Sequence, residues 1–227
     1  MGNRRTFTLG LGAALAASRS LAKELDIGGQ FIRPEDITIG EEIISDFERV
    51  RRKEGRLWAE GYTQSELDDA QDRYDLVFPP DLVALFRDRR PVLGYDWRSD
   101  HEEIRAMLSW PLEGLLYDSE HNALWWPEWG QRPETPEGRA ELLTQVVKAA
   151  PKLIPLVGHR YLPEEPHEAG NPVFSVYQSD TIYFGADLAH FFERQFGVSS
   201  RPWPEQIKHI RFWSDLVERN PVVGSAF

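Results

Sequence analysis

Residues Gly61 to Arg87, GYTQSELDDAQDRYDLVFPPDLVALFR, constrain the fold more than any other stretch of the chain. Thr63-Gln64-Ser65-Glu66 is a capping box: the Thr63 hydroxyl can take a free amide of the first helical turn while Glu66 reaches back. Leu67, Ala70 and Tyr74 then fall on one helical face. Phe78-Pro79-Pro80 breaks that helix, because the residue before a proline avoids helical angles. Pro80 or Asp81 starts a second helix, with Leu82, Leu85 and Phe86 inward. Two helices around a rigid turn follow from local chemistry alone.

The rest of the chain reads as helices first and strands later. Ile39, Ile43, Ile44, Phe47 and Val50 predict a helix over about 40–54. Ser99-Asp100-His101-Glu102 reads as a second capping box, opening a helix with Ile104, Met107 and Leu108 inward that ends near Pro111. Leu124-Trp125-Trp126 reads as a short strand. Thr135-Pro136 starts a helix with Pro at the first position, stopped by Pro151. Beyond it, 153–157, 173–178 and 181–184 are β-branched and aromatic runs, the last two joined by a tight turn at Ser179-Asp180. A helix with Leu188, Phe191, Phe192 and Gln195 inward comes after them, closed by Gly197, then a last helix from Pro204 to Arg219. The expectation is an α+β class, with helices packed on a small, mostly antiparallel sheet.

The order of elements has a counterpart. A helix carrying Glu66 and Leu67, then Tyr74, then Phe78-Pro79-Pro80-Asp81-Leu82 and Leu85-Phe86, resembles the opening of the SUKH superfamily. These Smi/Knr-like proteins include fungal cell-wall-synthesis regulators and bacterial immunity proteins that neutralise toxins. Leu153-Ile154-Pro155-Leu156, the hairpin from 173 and the helix from Asp187 to Phe196 resemble the family's later strands and closing helix. The likeness covers about 61–197. Where the family has Asn-Gly after its second helix, this chain has Arg87-Asp88-Arg89-Arg90-Pro91. The resemblance implies a SUKH-like fold and a non-enzymatic protein-binding module, with no catalytic residues and no cofactor.

The N-terminus has the layout of an export signal. Arg4 and Arg5 precede an apolar run, Phe7 to Ala17, and the small-residue end Ser20-Leu21-Ala22. The arginine pair resembles the twin-arginine signals of bacteria. Residues 1–22 are therefore expected to be a signal peptide, 23–37 a linker, and 38–227 one domain with an extra C-terminal helix. The expected location is periplasmic or secreted where that signal is used, and cytoplasmic otherwise. The apolar run is too short for a membrane span, and none is expected after signal removal. Cleavage after Ala22 would remove Arg4, Arg5 and Arg19 and take the formal charge from −11 to −14. Such a chain repels nucleic acid and suits a partner with a basic surface. Cysteine is absent, so no disulfide or thiol chemistry is available.

Three constellations are candidate sites. Asp68, Asp69 and Asp72, with Asp75 beyond, place negative charge along one helix, either as a solvated face or as a surface for a basic partner. Trp125, Trp126 and Trp129, near Trp110, offer flat apolar rings, either core packing or contacts for a protein or a glycan. His159, Glu164 and His167, within GHRYLPEEPHEAGNP, combine imidazole and carboxylate as a candidate metal or polar site, or else a solvated loop, in what reads as an ordered exposed turn. The last two support an alternative reading, an exported envelope protein acting as a glycan binder or hydrolase through the Trp-rich segment and the 159–171 loop.

Overall fold

The computed structural model describes residues 57–196 and 201–219. The signal, the linker and the helix over 40–54 lie outside them. The chain divides into two units, 1–59 and 60–227. Every described element belongs to the second, apart from one short strand that begins just before it. In chain order the elements are β1 (Trp58–Glu60), α1 (Gln64–Tyr74), α2 (Pro80–Asp88), β2 (Arg89–Pro91), α3 (Glu102–His121), a 3-10 turn (Pro127–Trp129) and α4 (Pro136–Ala149). After them come β3 (Leu153–Val157), β4 (Arg160–Pro163), β5 (Val173–Tyr177), β6 (Asp180–Gly185), α5 (Leu188–Phe196) and α6 (Trp213–Arg219). Among the described residues, six helices packed with two small antiparallel sheets make the α+β class expected from sequence.

The helix pair forms as its sequence dictates. The Thr63 hydroxyl accepts from the Glu66 amide at 3.2 Å, and Glu66 accepts from the Thr63 amide at 2.8 Å. Asp75 closes α1 with φ 53°. The Gln71 side chain then accepts the Phe78 amide at 2.7 Å, aiming the chain into Pro79-Pro80. Tyr62, Phe86, Phe78, Trp97 and Tyr74 pack edge-on in a continuous row, with centroids 5.2–6.1 Å apart. Gly61 permits this packing: a Cβ there would stand 2.3 Å from the Arg87 carbonyl oxygen.

α3 departs from expectation at both ends. No Ser99 cap forms; the Ser99 hydroxyl pairs with His101 Nε2 at 2.9 Å, and His101 occupies the cap position without a side-chain bond to the first helical turn. Pro111 does not stop the helix, which runs on to His121. Proline leaves the carbonyl four residues back without its N–H. Here that carbonyl is Met107, and it accepts the buried Tyr161 hydroxyl at 2.8 Å. A side chain from the sheet thus supplies the missing donor.

The main sheet has the order β3-β4-β5-β6, all antiparallel. β4 was not expected; its segment reads as loop because Glu and Pro crowd it, yet Tyr161 and Leu162 are fully buried. Tyr161, Phe174 and Tyr183 sit at facing register positions, and Tyr161 reaches α3. The β5–β6 turn falls on Gln178-Ser179, one residue earlier than expected, with Gln178 at φ 58°. Buried Asp118 of α3 accepts the Ser179 amide at 2.8 Å, and a Cβ on Gly114 would strike Gln178 Cα at 2.6 Å, so the hairpin tip is docked on α3.

Two further expectations fail. Leu124-Trp125-Trp126 pairs with no strand among the described residues; Ala123 turns the chain at φ 56° and Trp126 leads into the 3-10 turn. Residues 204–212 are not helical, and α6 begins only at Trp213, after Phe212 adopts φ 70°. In that stretch the side chains of Lys208 and Arg211 are committed to Glu168 and Glu165, acids about forty residues away in sequence.

Candidate functional site

The acidic helix face is built by α1. Leu67, Ala70 and Tyr74 bury its inner side, which leaves Asp68, Asp69 and Asp72 exposed on the outer one. Asp68 accepts the Gln64 side-chain amide at 2.9 Å. None of the three aspartates pairs with a cation among the described residues. Asp72 lies in the last turn, the negative end of the helix dipole, where a carboxylate is unfavourable. Asp75 is different. It is paired with Lys152 at 2.7 Å, and that bond holds its carboxyl below the ordinary range.

The tryptophans form a self-stacked ledge. Trp126 stacks on Trp129 at 4.7 Å, Trp125 meets Trp129 edge-on at 5.6 Å, and all three are half-buried. The Trp125 indole donates to the Gly130 carbonyl at 2.9 Å, closing the turn. Arg219 of α6 covers Trp126 at 4.2 Å and grips Glu128 with two bonds of 3.0 and 2.6 Å, holding that carboxyl at about 2. Trp110 is apart from the ledge: it is buried in α3, with its indole on the Val176 carbonyl at 3.1 Å.

His159, Glu164 and His167 are not brought together. His159 and His167 flank β4, whose four residues span roughly 13 Å. His159 is half-buried against Tyr177 at 6.1 Å; burial, helped by the Arg160 charge, keeps its imidazole well below the usual value. Glu164 is buried and accepts the Val77 amide at 3.1 Å, and desolvation pushes its carboxyl up. His167 is exposed.

The acids beyond β4 are tied down. Glu165 pairs with Arg211 at 2.7 Å and Glu168 with Lys208 at 2.7 Å. Lys208 also donates to Asn171 Oδ1 at 3.1 Å, while the fully buried Asn171 amide holds the Pro163 and Pro166 carbonyls at 3.3 and 2.8 Å. The loop is a brace against the segment before α6.

Among the described residues, the group of His, Asp and Glu whose atoms lie close enough to share a metal is His209, Asp215 and Glu218, within 4.8 Å of one another on the surface. Sequence spacing did not single out this triplet, because the turn at Phe212 brings it together. No described helix is long and apolar enough to cross a membrane. No family model matches the chain, and neither a curated protein nor a solved structure matches it.

Proposed function

We propose that this protein is a non-enzymatic protein-interaction module of SUKH type, and that it binds and neutralises a partner in the manner of an immunity protein. The observation that carries the reading is the outer face of α1, where three exposed aspartates have no cation partner among the described residues. Asp72 sits at the dipole end that disfavours it. Charge placed at a cost to the helix supports a role outside it, and a basic protein surface is the complementary partner. Electrostatic complementarity of this kind raises association rates by about 10- to 1000-fold. The Trp125, Trp126 and Trp129 ledge supplies half-exposed aromatic area of the type that anchors interfaces.

The module acts in the periplasm or outside the cell if Arg4 and Arg5 direct export. Affinity capture from envelope and cytoplasmic extracts tests both points. The wild-type chain is expected to retain a basic protein that a D68N/D69N/D72N variant loses. Recovery of the same proteins by both baits, or of none by either, sinks the acidic-face reading.

Glycan binding by the tryptophan ledge is the second reading, and it rests on the half-exposure of all three rings. Tryptophan fluorescence unchanged by soluble cell-wall fragments would remove it.

A further inference from the structure

Within this acidic chain, an arginine pair has no acid to neutralise it among the described residues. Arg160 on β4 and Arg194 on α5 both lie over the Phe184 ring, 4.2 and 5.5 Å from its centroid. Arg194 is also 5.2 Å from the Trp203 indole, and His190, one turn earlier, packs on the same indole at 4.7 Å. The Nε atoms of Arg160 and Arg194 and Nε2 of His190 are buried with no hydrogen-bond partner. Acids outnumber bases 37 to 26 in this chain, yet among the described residues neither arginine makes an ion pair. The acids nearest in sequence are already committed: Asp187 and Glu193, near Arg194, both bind Arg201 at 2.8 and 3.0 Å, while Glu164 and Glu165, near Arg160, bind the Val77 amide and Arg211. Desolvation, with no carboxylate opposing it, pulls the Arg160 guanidinium down to about 10.

The backbone is shaped around this pair. Val173 pairs with Gly185 and Phe174 with Tyr183, which leaves Phe184 as the extra residue of a β-bulge. Bulges re-aim a side chain at the cost of ladder regularity. Arg160, Phe184, Arg194 and Trp203 are all half-buried, so their outer atoms meet solvent while the Nε donors do not. Planar guanidinium forks next to aromatic rings match the flat, two-oxygen edge of a carboxylate or phosphoryl group.

We propose that Arg160 and Arg194, held by β4 and α5 around Phe184 and beside Trp203, form a binding site for an oxyanion, the carboxylate or phosphoryl group of a small ligand. The site is independent of the acidic face of α1 and stands whether or not that face binds a partner. The full chain is titrated with inorganic phosphate and, separately, with benzoate, at constant ionic strength set by chloride, and the arginine Nε–H signals are followed by NMR. Saturable shifts of the two Nε–H signals with either anion support the site; saturation by phosphate alone assigns a phosphoryl ligand, by benzoate alone a carboxylate. R160Q and R194Q should each weaken binding about tenfold or more. R194K keeps the charge but loses the fork, and should weaken it as well. Near-UV circular dichroism identifies variants that stay folded. Linear, non-saturating shifts equal to those of chloride, or unchanged affinity in a folded variant, overturn the proposal.

Discussion

Two acid-rich regions of this molecule look alike in sequence and behave differently in structure. In 164–168, Glu165 and Glu168 each meet a cation, and Glu164 is buried on a backbone amide. On α1, Asp68, Asp69 and Asp72 are exposed and meet no cation among the described residues, Asp68 bonding only Gln64 on its own helix. The first set fastens a loop to the segment before α6; the second fastens nothing. Acid density therefore says little about role, and the partners of each carboxylate say a great deal.

The sharpest test of that contrast is Asn171→Ala, which removes the buried amide at the centre of the loop brace. It leaves the Pro163 carbonyl unpaired and the Pro166 carbonyl with the Glu168 amide alone, and is expected to cost about 2 kcal/mol in urea unfolding. A loss under about 1 kcal/mol would mean that the polar contacts do not hold the loop. Lys208→Ala, which breaks the contacts to Glu168 and Asn171, should cost about 1 kcal/mol, with the effect fading in high salt.

Glu164 gives the contrast a pH dependence. Its folded carboxyl is raised above the ordinary glutamate value by burial. The folded state therefore holds the proton more tightly, and stability is greatest below the unfolded value. It declines as pH rises from there through the raised folded value. Glu164→Gln, which can still accept the Val77 amide, should flatten that decline in unfolding curves measured across the mildly acidic range up to neutrality. An unaltered slope would assign the decline to other groups.

On the α1 side the expected change is small and of opposite sign. Asp72→Asn relieves the dipole at the end of the helix and should stabilise by about 0.5 kcal/mol. Destabilisation by D72N would show that α1 relies on this carboxylate and would erase the distinction between the two regions.

The sequence was most legible where the deciding chemistry is local. The Thr63–Glu66 box and the helix start at Thr135-Pro136 rest on residues at most three apart, and both form as expected, whereas α1 already ends at Asp75, ahead of Phe78-Pro79-Pro80. Errors arose where a distant group intervened. Pro111 reads as a stop because nothing nearby can replace its N–H, yet Tyr161 does so from the sheet. Residues 204–212 have helical spacing, but Lys208 and Arg211 are drawn to Glu168 and Glu165 instead. β4 was hidden inside a Glu- and Pro-rich string whose large apolar side chains are only Tyr161 and Leu162. The candidate aspartates of α1 were legible as exposed from helical phase alone. The Arg160–Phe184–Arg194 cluster was not, since a bulge and two separate elements assemble it.

The bond from Tyr161 to Met107 also has a meaning in time. A ribosome finishes α3 long before it reaches Tyr161, 54 residues after the carbonyl that waits for it. Until that strand arrives, the middle of the longest described helix has an open backbone acceptor, which water must serve. α3 is therefore left incomplete during synthesis and is closed only when the sheet docks. The helix thus draws its missing backbone partner from the meander, and no fragment ending before residue 161 contains that donor.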